Sequence, residues 1–378
     1  MKTRLSNKFA FFLALMLFVA VVLAGCAPNT ETGANAKESV KENTKENVTE
    51  NVKEKQEKPV TIAINNWAPS THHWKPYVFE PWKKEVESKT NGRVKIDIYD
   101  GAVLGGTTSV LQDVSGGKYQ LGFLVYNYFY DTPYFLGTIG ELPFALNDTT
   151  KGSKIQTQFI DKYAKDKFDT VHYVGTFATD PYVLFSRKPI HSVNDLKGLK
   201  IRTPGKTWNP IIQAWGANPV SIQLNDAYEA LQRGTIDAIP YSVVGGVGFK
   251  YQEVAPYVVN FGLFSNVAAI LLNKETYKSI PDDLKPVFDK ELFPKLSQLV
   301  VQDYKDRIDE TYKGLSGQLK GKGELIELPD AEKALIEKPA KVAWDNWVTE
   351  ANKRKYPGDE MMREFKRMMT EEGLSLPF

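Results

Sequence analysis

Short apolar runs alternate with amphipathic stretches along most of this chain. Residues 60–65 read as a buried strand. Residues 74–89 place apolar side chains at helical spacing until Thr90-Asn91-Gly92 stops them. Residues 94–99 alternate as a strand, 109–114 form a short helix ended by Gly116-Gly117, and 121–125 return to a strand. Residues 151–165 are a further helix. This β-α-β-α-β order predicts a doubly wound half-domain.

A second series begins with strands at 172–176 and 182–186, and Ser192-Val193-Asn194-Asp195 has the form of a capping box. Residues 199–202 make a strand stopped by Thr203-Pro204-Gly205. A helix over 207–215 ends at Gly216, and Asn225 or Asp226 caps a helix running through Gln232. Residues 236–239 form a strand, and two candidate crossing strands follow at 257–263 and 267–272. Residues 282–319 are helical, with Pro286 and Pro294 marking first turns or a break. Residues 331–352 form another helix, where Trp344 and Trp347 share a face and belong to the core.

Composition narrows the picture. The chain has 378 residues, 42% of them apolar and 25% charged, enough for two α/β lobes. A net charge of +2 gives no footprint for nucleic acid. One cysteine and four histidines leave little for a transition-metal site. His72 and His73 are neighbours and diverge on a helix or strand, so they read as helix-start or cleft-lining groups. No cofactor is expected. Gly245-Gly246-Val247-Gly248 lacks the third glycine and the Lys-Ser/Thr of phosphate loops and reads as a helix-start turn.

The first residues read as an address. Lys2, Arg4 and Lys8 precede a nearly unbroken apolar run over 9–24. The run ends Leu23-Ala24-Gly25-Cys26, which resembles the lipobox of bacterial lipoproteins, whose cysteine is lipidated and becomes the new N-terminus. Residues 27–58 are rich in Lys, Glu, Asn and Thr and have no aromatic residue. Such a segment buries too little to offset its ordering entropy, so a disordered tether is expected. The expected organisation is a signal peptide at 1–26, a tether at 27–58, one lobe from 59–174 with 266–306, and a second from 175–265 with 307–378.

The candidate chemistry centres on Arg202. It lies where a strand runs out, the place where ligands of α/β sheets bind. Its guanidinium can donate two parallel hydrogen bonds to a carboxylate. A structural bridge to Asp237 is the alternative. Asn65 and Trp67 follow the first strand, and Tyr126 and Asn127 follow the third, so both pairs are candidates for the opposing face of the cleft. Trp208 and Asn266 join this set, with Tyr128 and Phe249 as further aromatic wall. An enzyme reading finds no nucleophile elbow, no Ser-His-Asp set and no metal cluster.

The segment Asp195-Leu196-Lys197-Gly198-Leu199-Lys200-Ile201-Arg202, then Gly216-Ala217-Asn218-Pro219-Val220, then Ala230-Leu231-Gln232-Arg233-Gly234-Thr235-Ile236-Asp237, carries a resemblance. With Thr90-Asn91-Gly92-Arg93-Val94, Glu141-Leu142-Pro143-Phe144, Asn273-Lys274-Glu275-Thr276-Tyr277 and Ile280-Pro281, it resembles the DctP-type solute-binding proteins of tripartite ATP-independent periplasmic (TRAP) transporters. The match runs over about residues 59–300.

The resemblance implies a two-lobed α/β periplasmic-binding-protein-like fold, with crossing strands and a long helix spanning both lobes, starting after Leu284. It implies that Arg202 pairs with the ligand carboxylate. Tyr241 stands where some members carry an Asn that bonds the same group, which leaves Ser242 as the fallback donor. Val125 and Phe177 stand where sialic-acid-binding relatives place a glutamate and a second arginine. An apolar, aromatic or keto-acid monocarboxylate is therefore the expected ligand, captured by a lipid-anchored extracytoplasmic monomer. The expected partners are the small and large TRAP membrane subunits. A sensor role for a signalling system is the alternative.

Overall fold

The computed structural model describes residues 58–203 and 205–377. The predicted leader with Cys26, and the tether up to residue 57, lie outside them. The strands in chain order are β1 (Val60–Asn65), β2 (Val94–Tyr99), β3 (Leu121–Val125), β4 (His172–Ser186) and β5 (Lys200–Arg202). They continue as β6 (Asn218–Val220), β7 (Ala238–Ser242), β8 (Tyr257–Asn260), β9 (Ser265–Leu272) and β10 (Glu324–Glu327).

Two half-sheets share one strand. In the first, β1 lies parallel to β2 and β3, and β9 runs antiparallel between β3 and the front half of β4. In the second, the back half of β4 runs antiparallel to β7 and β8, while β5 lies parallel to β6 and β7. The apolar runs of β3, β7 and β9 are buried along their whole length, as strands covered on both faces must be.

β4 is one strand where the sequence pattern suggests two. Thr179-Asp180-Pro181 looks like a turn, but the chain stays extended there and changes partners. The register shifts between Ala178 and Pro181, and a proline without an N–H is tolerated at such a changeover. The predicted strand over 257–263 ends at Asn260. Its last residues instead cross beside β4, pinned by Tyr182 N to Phe264 O at 2.7 Å and Leu263 N to Tyr182 O at 3.2 Å. β7 starts at Ala238 rather than 236, because the Asp237 carboxylate accepts from Lys200 N at 2.9 Å and forms the turn. β6 and β10 are too short and polar to show as apolar runs.

The helix Phe293–Gln318 is 26 residues long and follows a π-helical turn at Phe288–Leu292, with Pro294 in its first turn. It packs on β4, on Lys75–Phe79 after β1, and on Val243–Gly248 after β7, so it touches elements of both half-sheets. The predicted helix over 331–352 is broken by Pro339 into Asp330–Glu337 and Lys341–Lys353 with a 3-10 turn between. A last helix, Gly358–Glu371, goes unread in the sequence, although it buries Met361, Met362, Phe365, Met368 and Met369 at helical spacing. Trp347 is buried and donates to Thr138 Oγ1 at 3.1 Å, a core role as expected. Among the described residues, no helix is long and apolar enough to cross a membrane.

Candidate functional site

The ends of β1, β3, β5 and β7 converge on one cavity. β5 contributes Arg202, the chain after β1 contributes Trp67 and His72, and β3 ends with Val125. β4 adds Phe177, Thr179 and Tyr182 across its partner changeover, and Tyr304 enters from the long helix. The centres of water-sized spheres fit over ≈ 20 Å³, room for about one water molecule. The cleft is therefore closed, and contacts bridge it. Thr207 Oγ1 bonds Asn127 Oδ1 at 2.8 Å, Lys206 pairs with Asp131, and Asn225 donates to the Trp67 carbonyl at 3.1 Å.

Arg202 is 2% exposed. Its Nε donates to Ile222 O at 3.1 Å and its Nη2 to Tyr128 Oη at 2.8 Å. Both partners are neutral. Asp237, the alternative partner, instead faces Arg187 at 3.7 Å and the Lys200 amide. Burial pulls the Arg202 pKa down, but Tyr128, Tyr251 and Tyr241 more than offset it, so the group stays a cation. Burial also holds Tyr182 and Tyr241 well above the usual phenol range, which keeps both as O–H donors. Their rings lie 5.4 Å apart.

One wall is aromatic. Trp67 and Phe177 line the cavity, backed by Trp74 and Phe123 with ring centroids 5.2–6.2 Å apart. Ser242 and Asn266 also line it, but with commitments. The Ser242 hydroxyl donates to Asp180 and accepts from Gly245 N at 2.8 Å, capping Val243–Gly248. These bonds compete with the fallback role expected of it. The Asn266 amide donates to the buried Glu141 carboxyl, whose pKa burial raises well above normal.

Four of the predicted site residues lie outside this cavity. Asn65 turns to the loop after β2, donating to Gly105 O at 2.8 Å and accepting from Leu104 N at 3.3 Å. Tyr126 is fully buried against Gly137, where a Cβ would sit 2.1 Å from its ring. Asn127 holds Thr207 across the cleft rather than lining it. Trp208 is a core residue, packed against Phe264 with ring centroids 4.3 Å apart and donating to Glu141 O at 3.1 Å. A strand end fixes where a residue starts but not which way its side chain turns.

The sequence reading passed over Tyr182, Thr179, Thr107, Leu224 and Tyr304 as lining groups, and gave Tyr128 only as wall. Each is an ordinary core or turn residue by pattern. The histidine pair is structural in part. His73 Nδ1 bonds Asp303, which also accepts from Arg307 Nε at 2.6 Å. Among the described residues, no group of His, Cys, Asp or Glu could hold a metal ion.

A closed cleft between two half-sheets joined by crossing chains defines a two-lobed solute-binding protein. Residues 64–350 match the DctP model, bacterial extracellular solute-binding protein, family 7, and the chain belongs to that family. Among curated relatives, a Haemophilus influenzae protein is 24% identical over 219 residues, 56% of this chain and 65% of its own length. The sialic acid-binding periplasmic protein SiaP of Vibrio cholerae is 22% identical over 65% of this chain and 76% of its own. The 2,3-diketo-L-gulonate-binding periplasmic protein YiaO of Escherichia coli is 24% identical over 59% of this chain and 70% of its own.

Solved structures share the fold. A TRAP solute-binding protein from Rhodoferax ferrireducens with copurified benzoate superposes with a TM-score of 0.75 at 20% identity, over 83% of this chain and 98% of that one. A Bordetella bronchiseptica protein with bound (R)- and (S)-mandelate gives 0.74 at 24% identity, over 83% and 99%. One from Shewanella oneidensis with bound succinate gives 0.70 at 17% identity, over 82% and 99%. The family and these neighbours are solute-binding proteins, not enzymes.

Proposed function

We propose that this protein captures a small monocarboxylic acid in the cavity beside Arg202 and delivers it to the small and large membrane subunits of a TRAP transporter. The observation that carries the reading is a buried guanidinium bonded, among the described residues, to a carbonyl and a phenol alone. A buried charge without a counter-charge is costly, and an anion in the cavity supplies the missing half of the pair. Among the described residues Arg202 is the one cation lining the cavity, so a second carboxylate would find no second counter-charge. A single carboxylate on an apolar or aromatic body matches the chemistry of the cavity walls, and the closed cleft has to open to admit it. The benzoate and mandelate of the structural neighbours are acids of this kind.

Calorimetry with benzoate tests this. Arg202→Ala should weaken binding at least about hundredfold while the thermal unfolding transition stays cooperative. Equal affinity in the folded variant would end the assignment.

The same reading has the mature protein held outside the cell membrane by lipid on Cys26. A bacterial host fed labelled palmitate should label the full-length chain and keep it in the membrane fraction. Cys26→Ser should be unlabelled and released. An unlabelled wild-type chain would refute the anchor.

A further inference from the structure

The cleft holds a second buried donor besides Arg202. His72 lines the cavity, 1% exposed, in the turn between β1 and the helix that follows. Its Nδ1 accepts from Trp74 N at 3.3 Å. Burial first, and His73 second, depress its pKa well below the usual histidine value, so the ring is neutral. With Nδ1 accepting, the proton sits on Nε2.

The position of Nε2 is fixed by its neighbours. A Cβ added to Gly245 would lie 3.4 Å from His72 Nε2, 3.0 Å from Tyr241 Cε1 and 3.1 Å from Ser242 Oγ. Nε2 therefore stands at the end of β7. The Ser242 hydroxyl is already engaged by Asp180 and Gly245, so the Nε2–H and the Tyr241 hydroxyl are the donors at that end. The His72 ring is clamped. It stacks on His73 at 4.1 Å, and Phe249 meets it edge-on at 5.7 Å. His73 is in turn tied to Asp303 and Arg307 of the long helix. A donor held this firmly loses little entropy when it binds.

Register separates the strand positions nearest these two groups. β5 and β7 are parallel with Ile201 opposite Ala238, which puts Arg202 level with Ile239. Ser242 lies three residues further on, about 10 Å along the strand. That backbone spacing is on the scale of one aromatic acid.

We propose that His72 donates through Nε2–H to an oxygen at the far end of the bound acid, so that the site selects carboxylic acids bearing a hydroxyl or oxo oxygen remote from the carboxylate. This rests on the reading that Arg202 holds the carboxylate. Calorimetry on the full chain with benzoate and 4-hydroxybenzoate tests it. Wild type should bind the hydroxy acid about tenfold tighter, the effect of one buried neutral hydrogen bond. His72→Phe should bring the ratio near one, His72→Gln should keep part of it, and Arg202→Ala should weaken both acids alike. A tenfold preference that survives in His72→Phe overturns the role of His72. So does a wild type that binds both acids equally through Arg202, and in that case the Arg202 reading stands. Binding of neither acid, or binding that Arg202→Ala leaves unchanged, overturns both.

Discussion

At the scale of the residue, Arg202 holds its charge among neutral groups. A carbonyl and a phenol each offer it one hydrogen bond, and neither offers a negative charge. In a low-dielectric site that deficit is worth more than any single apolar contact around it, so the guanidinium dominates ligand choice. This much was legible. A short strand, a Thr-Pro-Gly stop and an arginine between them point to a strand-end anion site before any coordinates exist. Only part of the remaining cavity wall was. Tyr182 reads as core because aromatic residues usually are core, and what makes it a lining group is contact with segments far away in sequence. Asn65 illustrates the opposite case: it sits at a strand end as expected, but the loop carbonyl at Gly105 claims its amide.

At the scale of the element, the loop after β5 and the turn after β3 behave as one clasp. Arg202 meets Tyr128, Thr207 meets Asn127, and Lys206 meets Asp131. Gly205 allows the approach, since a Cβ there would lie 2.6 Å from Asn127 Cβ and 2.8 Å from its Cγ. Gly205→Ala must push the two segments apart, and the Asn127 atoms in the way are not the tip of a flexible chain. The expected outcome is about a tenfold loss of affinity for benzoate by calorimetry, with the melting temperature shifted by only a few degrees, because overpacking here costs about 1–3 kcal/mol and falls largely on the closed state. Unchanged affinity would show that the clasp is no part of the bound form. Local pattern could not reveal it. It also could not show that β4 passes through Pro181 unbroken, since a proline after Thr-Asp reads as a turn until its two different partners are known.

At the scale of the whole molecule, the two half-sheets are held by β4, the crossing segment 261–264 and the long helix. Asp180 sits at the changeover in β4, where these parts meet. Burial raises its pKa from the usual 3.8 to about 7, and bonds from Ser242 and the Val243 and Val244 amides only partly oppose this. Tyr241 from β7 and Tyr304 and Tyr312 from the long helix face it, and none carries a compensating positive charge. The sign follows directly. Between pH 3.8 and about 7 the folded protein holds a proton that the unfolded chain releases, so this group's stabilising contribution is full below 3.8 and is lost as pH rises through 7. One such proton is worth up to ~1.4 kcal/mol per pH unit. Denaturant unfolding from pH 5 to 8 should therefore show wild type losing stability relative to Asp180→Asn with a slope near that value up to pH 7, flattening above it. Comparing slopes rather than absolute stabilities removes the cost of the amide's altered hydrogen bonding and the titration of Glu141 and Asp303, which both proteins share. Parallel pH profiles would mean that Asp180 ionises normally in the fold, and that the joint between the half-sheets holds a carboxylate rather than a carboxylic acid.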